Sequence, residues 1–166
     1  MSVTRHIVPL AIVAMLCLLG SACGDNTCYE NGNSLPLAKL YLGKSAQTIT
    51  GLTIMGIGAP GDSLLEDSST LSEVYLPLRA SVSTTSYKIS RWVTIEGEKS
   101  QVSDTLTFDY KPIEYFHSVE CGAMFNFDIT DVRHTIHGID SVILITTTIT
   151  NSPSPALRIY FTDFNQ

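Results

Sequence analysis

From Leu35 onward, apolar and polar residues alternate with a period of two in most segments of the chain. Such alternation is typical of β-strands that bury one face. It is clearest over 86–96 and 105–110, and it recurs over 123–129 and 156–161. Turn-forming residues separate these segments at intervals of about 10 to 15 residues, and no segment has a helical period of useful length. The pattern predicts an all-β fold, and we expect an antiparallel β-sandwich, immunoglobulin-like in general build, with about eight or nine strands.

Two interruptions of the pattern predict breaks between strands. Residues 58–72 form the longest polar stretch and begin with the turn cluster Gly58–Asp62. A loop of that length is often functional, so this stretch is a candidate contact surface. Lys111-Pro112 is expected to end the strand before it, because proline has no N–H to donate to a neighbouring strand.

The first 22 residues have a different pattern, which is typical of a secretory signal. Basic Arg5 precedes an apolar segment over 7–19, and Gly20-Ser21-Ala22 leads to Cys23. As a helix this apolar segment would span about 20 Å, short of a hydrocarbon core of roughly 30 Å. We therefore expect a signal peptide over 1–22, a lipidated Cys23 with a short tether over 23–34, and a single domain over 35–166. The protein would be exported and held by lipid in the cell envelope, with the outer membrane as the expected site.

The cysteine count bears on the choice between lipidation and ordinary signal cleavage. Gly20 occupies the place where lipidation sites usually carry leucine, and Gly20-Ser21-Ala22 also satisfies the small-residue rule for ordinary cleavage. Both routes release a chain that begins at Cys23. Lipid on Cys23 leaves Cys28 and Cys121 as an even pair, which an oxidising compartment would join. We predict that disulfide; two separate buried thiols are the alternative.

Charge and motifs exclude several functions. The net charge is −6, and the basic residues are scattered, which argues against binding a phosphate backbone. No Gly-x-Ser-x-Gly elbow and no phosphate-binding glycine loop occurs. Asp104 and Asp109 flank a predicted strand and are expected to face solvent. We predict neither catalysis nor a cofactor.

A group of acidic and imidazole side chains over 128–140 is a candidate for a metal site. Asp131, His134 and His137 carry groups that bind divalent metals. The segment is expected to connect two strands, and a solvated polar connection is the more common role of such residues. The metal hypothesis therefore requires that the fold bring these three side chains together.

Trp92 is a candidate for ligand contact. It shares a strand face with Lys88, Ser90 and Thr94, and an exposed tryptophan on such a face is suited to contact sugars or proteins. A single tryptophan in a central strand is more often part of the core. The solvent exposure of its ring distinguishes these two interpretations.

Several short motifs, in their order along the chain, suggest a family. They are Pro36-Leu37, Leu76-Pro77-Leu78, Asp104–Tyr110, Glu120-Cys121-Gly122 and Leu157–Phe161. With Cys23 and the segment around Cys28, they resemble a domain-of-unknown-function family of small bacteroidete-type envelope lipoproteins. The resemblance implies an outer-membrane or periplasm-facing lipoprotein and no known activity.

Together these features predict a membrane-anchored envelope lipoprotein that acts as a non-catalytic binding or structural module. Its partners would be the membrane, through lipid on Cys23, and an envelope protein or a glycan. The alternative is an accessory protein that binds carbohydrate at Trp92 or metal at the His134/His137 loop.

Overall fold

The computed structural model describes residues 34–119 and 121–164. The predicted signal peptide, Cys23 and Cys28 lie outside these residues. A short 3-10 turn covers Pro60–Asp62, and the other regular elements described are strands. They are β1 (Leu37–Leu42), β2 (Ser45–Ala46), β3 (Ile49–Gly56), β4 (Leu64–Leu71), β5 (Glu73–Tyr75), β6 (Thr84–Ile95), β7 (Glu98–Ser118), β8 (Gly122–His134), β9 (Ile139–Leu144), β10 (Thr148–Ile149) and β11 (Pro155–Phe161).

The strands form two sheets. The six-stranded sheet has the order β10-β8-β7-β6-β3-β4, and its neighbouring strands run antiparallel. The five-stranded sheet has the order β2-β1-β11-β9, with β5 paired to the first half of β1. In this second sheet β1 and β11 run parallel, so the N-terminal strand lies directly beside the C-terminal one.

The core lies between the inward faces of the two sheets. Leu40, Leu157 and Ile159 contribute from the five-stranded sheet, and Leu106 and Phe108 contribute from the six-stranded sheet. Their alternate neighbours along each strand point outward, because successive side chains of a strand lie on opposite faces. The architecture confirms the predicted all-β, sandwich-like fold.

The structure corrects the predicted strand number and one pairing direction. Eleven strands lie within the described residues, rather than eight or nine. Strands β2, β5 and β10 have only two or three residues each, too few to show an alternating pattern. The parallel pair of β1 and β11 departs from a fully antiparallel sandwich.

The predicted loop over 58–72 is wrong for more than half of its length, because Leu64–Leu71 forms the edge strand β4. Most of its side chains are exposed or half-buried, so neither face has the apolar alternation of a half-buried strand. Its pairing with β3 is interrupted by several register shifts. One irregularity lies at Ser68, where φ is +49° and the N–H donates to Thr53 Oγ1 at 3.1 Å.

Strand β7 continues through Lys111-Pro112, where the sequence predicted a break. Pairing with β6 ends at Asp109, whereas pairing with β8 continues to Ser118. The Tyr110 N–H still donates to the Ser83 carbonyl, and from Lys111 onward β7 is paired on one side only. A proline is tolerated on such a strand because its missing N–H can face the unpaired side.

Candidate functional site

Trp92 lies on the outer face of the six-stranded sheet. Its neighbours in β6 alternate, with Ile89 and Val93 buried on the inner face and Thr94 exposed on the outer face. The indole is 53% exposed. The core interpretation of Trp92 is therefore wrong, and the structure supports the alternative of an outward-facing aromatic side chain.

A groove of about 310 Å³ begins at Trp92 and lies beside the turn that joins β6 to β7. We call it the Trp92 groove. Its lining residues come from β6, β7, the end of β1 and the segment after β11: Leu42, Arg91, Trp92, Val93, Thr94, Gly97, Lys99, Asp163 and Phe164. Its volume falls at the lower end of the range for small-molecule sites.

Lys99 places a cation against the tryptophan. Its Nζ lies 5.2 Å from the centre of the Trp92 ring, within the range of a cation–π contact. Lys99 is directly opposite Thr94 in the β6–β7 pair, and Gln101 is opposite Trp92. An aromatic plane, an ammonium group, a hydroxyl and an amide thus lie close together on one sheet face.

Arg91 supplies a second cation from the other side of β6. Its guanidinium lies 5.3 Å from the Phe161 ring centre and 5.6 Å from that of Phe164, and its Nη2 donates to the Thr162 carbonyl. Burial lowers the pKa of Arg91, although Asp163 and Asp104 act in the opposite direction. Its buried Nε has no hydrogen-bond partner among the described residues.

The sheet face next to Trp92 is rich in hydroxyl groups. Ser90 lies 2.9 Å from Ser103 across the β6–β7 pair, and Ser86 lies 2.8 Å from Thr107 further along. Because both members of each pair are hydroxyls, either one can donate or accept. Lys88 is exposed between these two pairs, so the outer face beside the Trp92 groove carries hydroxyl groups on either side of one cationic side chain.

The three metal candidates are not brought together. His134 is the last residue of β8, and Asp131 Oδ2 forms an ion pair with Arg133 Nε at 3.3 Å. His137 Nδ1 lies 3.2 Å from Asp104 Oδ1. In the described part of the chain, no three His, Cys, Asp or Glu side chains are placed to hold a metal ion. The structure gives the metal hypothesis no support.

Asp104 is buried, with 3% of its surface exposed, so the prediction that it faces solvent is wrong. Its Oδ1 accepts from Thr135 Oγ1 at 2.6 Å and from the His137 N–H at 2.8 Å. Its Oδ2 accepts from the N–H groups of Gly138 and Ile139 at 2.6 and 2.8 Å. One carboxylate thereby holds the whole connection between β8 and β9 against β7.

The pKa of Asp104 reflects these contacts. Burial acts to raise the pKa, but the hydrogen bonds from the His137 amide, from Thr135 and from the next two amides outweigh it. The pKa of this carboxyl therefore lies below its usual value. Asp104 acts as a structural anchor, and its oxygens are already occupied by donors of the chain itself.

Cys121 is disulfide-bonded. The three other cysteines of the chain lie before Ser34, outside the described residues. The bond thus excludes a free Cys121 thiol, and Cys28 remains the predicted partner. Cys121 follows the end of β7, and its N–H lies 3.1 Å from Ser118 Oγ.

No helix within 34–119 and 121–164 is long and apolar enough to cross a membrane. The fold and the groove define an all-β, sandwich-like domain with a surface groove that Trp92 and Phe164 line. Residues 51–161 match the model of a family of unknown function, DUF6452, and the chain belongs to that family. The match extends from β3 to the end of β11, which agrees with the predicted membership of a domain-of-unknown-function family. Neither a curated protein nor a solved structure matches the chain significantly.

Proposed function

We propose that this chain is an envelope lipoprotein of the small bacteroidete type, anchored through lipid on Cys23, that binds carbohydrate without catalysis. The observation that supports this proposal is the outward-facing Trp92 at the mouth of a groove with polar and charged walls. The signal-like segment over 7–19 and Cys23 supply the expectation of export and anchoring.

The chemistry of the Trp92 groove suits a sugar ring. A pyranose has an apolar face of C–H groups and a rim of hydroxyls, so it needs an aromatic plane together with several hydrogen-bonding groups. The indole of Trp92 offers the plane, and Lys99 and Arg91 offer donors. Thr94 and Gln101, which are exposed beside Trp92, supply further hydrogen-bonding groups.

A binding role fits the carboxylates better than hydrolysis does. Glycoside hydrolysis uses two carboxyl groups that face each other across the scissile bond, about 5 to 9.5 Å apart. Among the residues that line the Trp92 groove, Asp163 is the one carboxylate. Asp104 holds the β8–β9 connection, and Asp109 and Asp131 both bind Arg133.

Replacing Trp92 with alanine is expected to weaken oligosaccharide binding by about tenfold or more, because the stacking plane is lost. The measurement is retention of the purified protein on a panel of neutral and acidic oligosaccharides, followed by calorimetric titration with the best of them. Tyr75→Ala is the matched control, since Tyr75 is an exposed aromatic residue of the other sheet. Equal retention of the wild-type protein and Trp92→Ala, or no retention of either, would contradict the carbohydrate proposal.

The exported protein is expected to enter the detergent-rich phase in a phase-partitioning experiment, and Cys23→Ala is expected to remain in the aqueous phase. The reason is that acyl chains on Cys23 add free energy of transfer of about 0.8 kcal/mol for each buried methylene group. Intact mass spectrometry of both forms provides the control for cleavage before residue 23. If both forms stay in the aqueous phase, the domain is secreted without an anchor.

A further inference from the structure

The hairpin formed by β7 and β8 ends in an apolar tip, which we define as Ile113, Phe116 and Val119. Phe116 lies six residues after buried Tyr110 and therefore on the same face of β7, yet 69% of its surface is exposed. Val119, at the turn, is 86% exposed. Ile113 has the opposite parity and is also exposed. The face of the hairpin that packs on the core at Tyr110 thus continues past the end of the core, where it is exposed.

The distribution of these side chains favours immersion in an apolar medium. Exposed apolar groups lie on both faces of the hairpin and at its turn, so one flat protein surface could cover only part of them. Lys111 and Glu114, two described residues beside the tip, carry opposite charges. Attraction to anionic lipid is therefore not needed, and a neutral lipid surface fits the tip best.

The N-terminal segment is held close to the same tip. Ser34, the first described residue, donates from Oγ to Asn126 Oδ1 of β8 at 2.8 Å. Cys121 is disulfide-bonded, and the other cysteines of the chain precede Ser34. With Cys28 as the partner, the five residues from Cys23 to Cys28 span at most about 18 Å. The disulfide adds about 6 Å between the two Cα atoms, so a lipid on Cys23 would hold the bilayer within roughly 24 Å of Cys121.

We propose that the tip of the β7–β8 hairpin inserts into the lipid interface and fixes the orientation of the anchored protein. This inference rests on the lipid anchor proposed above. The side chains of Phe116 and Val119 would leave water for the boundary between head groups and acyl chains. The turn between β8 and β9, which contains exposed Ile136, would face away from the bilayer, because Asp104 ties it to the opposite end of β7.

The test uses two variants, each with a single tryptophan, placed at the hairpin tip in one and at the β8–β9 turn in the other. Trp92→Phe removes the one natural tryptophan, and Phe116→Trp or Ile136→Trp then adds one indole. Each full-length variant is exported, purified with its lipid and reconstituted into phosphatidylcholine vesicles with or without bromine on the acyl chains. Bromine quenches only indoles that reach the membrane. We expect fluorescence to fall about twofold for Phe116→Trp and to stay unchanged for Ile136→Trp, because insertion of an interfacial element is about 5–10 Å deep.

The possible outcomes distinguish failure of the tip inference from failure of the lipid-anchor proposal. If the protein floats with the vesicles but neither indole is quenched, the anchor stands and the tip inference is overturned; the tip then contacts protein. If the protein does not float, both proposals fail. If Phe116→Trp does not fold, Val119→Trp in the Trp92→Phe background replaces it in the test. Its indole is expected to be quenched to a similar extent. Quenching of Ile136→Trp alone would reverse the orientation and overturn the inference.

Discussion

Asp104→Asn is expected to lower the free energy of unfolding by about 3 kcal/mol, because a buried donor that loses its acceptor costs roughly 1 to 3 kcal/mol. The two carboxylate oxygens accept from the N–H groups of His137, Gly138 and Ile139 and from Thr135. An asparagine replaces one oxygen with an NH₂ group, which donates and does not accept. In either orientation, at least two donors of the β8–β9 connection lose their partner. Urea unfolding of the purified domain measures the loss.

Asp140→Asn is the matched control, since Asp140 is exposed and follows the same connection. Its effect is expected to be within about 0.5 kcal/mol. The pH dependence provides a second readout. The folded-state pKa of Asp104 lies below the unfolded value, so its contribution is complete above about pH 4 and disappears as pH falls through the folded pKa. The difference between wild type and Asp104→Asn should therefore shrink in acid. An equal difference at all pH values would contradict the role of the ionised carboxylate.

Cys121→Ser is expected to lower the free energy of unfolding by about 4 kcal/mol. The disulfide of Cys121 with Cys28 would close a loop of roughly 90 residues, and in the chain-entropy model a loop of that length contributes between about 4 and 5 kcal/mol. The loss would also free the hairpin end from the N-terminal segment. The measurement is urea unfolding of the oxidised protein, repeated after reduction of the wild type, which should reach the same midpoint as the variant.

A double-mutant cycle tests the partner of Cys121. If Cys28 is the partner, Cys28→Ser alone lowers stability as much as Cys121→Ser, and the double variant is no less stable than either. If Cys28→Ser leaves the unfolding midpoint unchanged while Cys121→Ser lowers it, then Cys28 is not the partner. That result would also undermine the cysteine count on which lipidation of Cys23 rests.

Much of the fold is predictable from the alternation of apolar and polar residues, because a strand with one buried face carries apolar residues at every second position. Strand β6 shows this most clearly, with Tyr87, Ile89 and Val93 buried in turn. Strand β4 could not be found this way, since both of its faces are largely exposed. The parallel pairing of β1 with β11 has no local signature, because it joins segments more than 100 residues apart.

The site was predictable in part. The position of Trp92 follows from its parity relative to Ile89 and Val93, which outweighs the general tendency of tryptophan to be buried. Asp104 has the same parity as Leu106 and Phe108, so its burial could have been inferred from the strand pattern. The rest of the Trp92 groove could not, because Asp163 and Phe164 reach it from beyond the last strand of the other sheet.

The length of β7 separates the Trp92 groove from the hairpin tip. The strand begins beside the Trp92 groove, where Gln101 is paired with Trp92, and it ends at the hairpin tip. The 15 residues from Gln101 to Phe116 correspond to a contour of at most about 50 Å at the usual rise of a strand. With the tip at the bilayer, this one strand would set the stand-off height of the groove. The groove would then contact a glycan several nanometres above the lipid. The paired sheet, and not a flexible linker, would set that height.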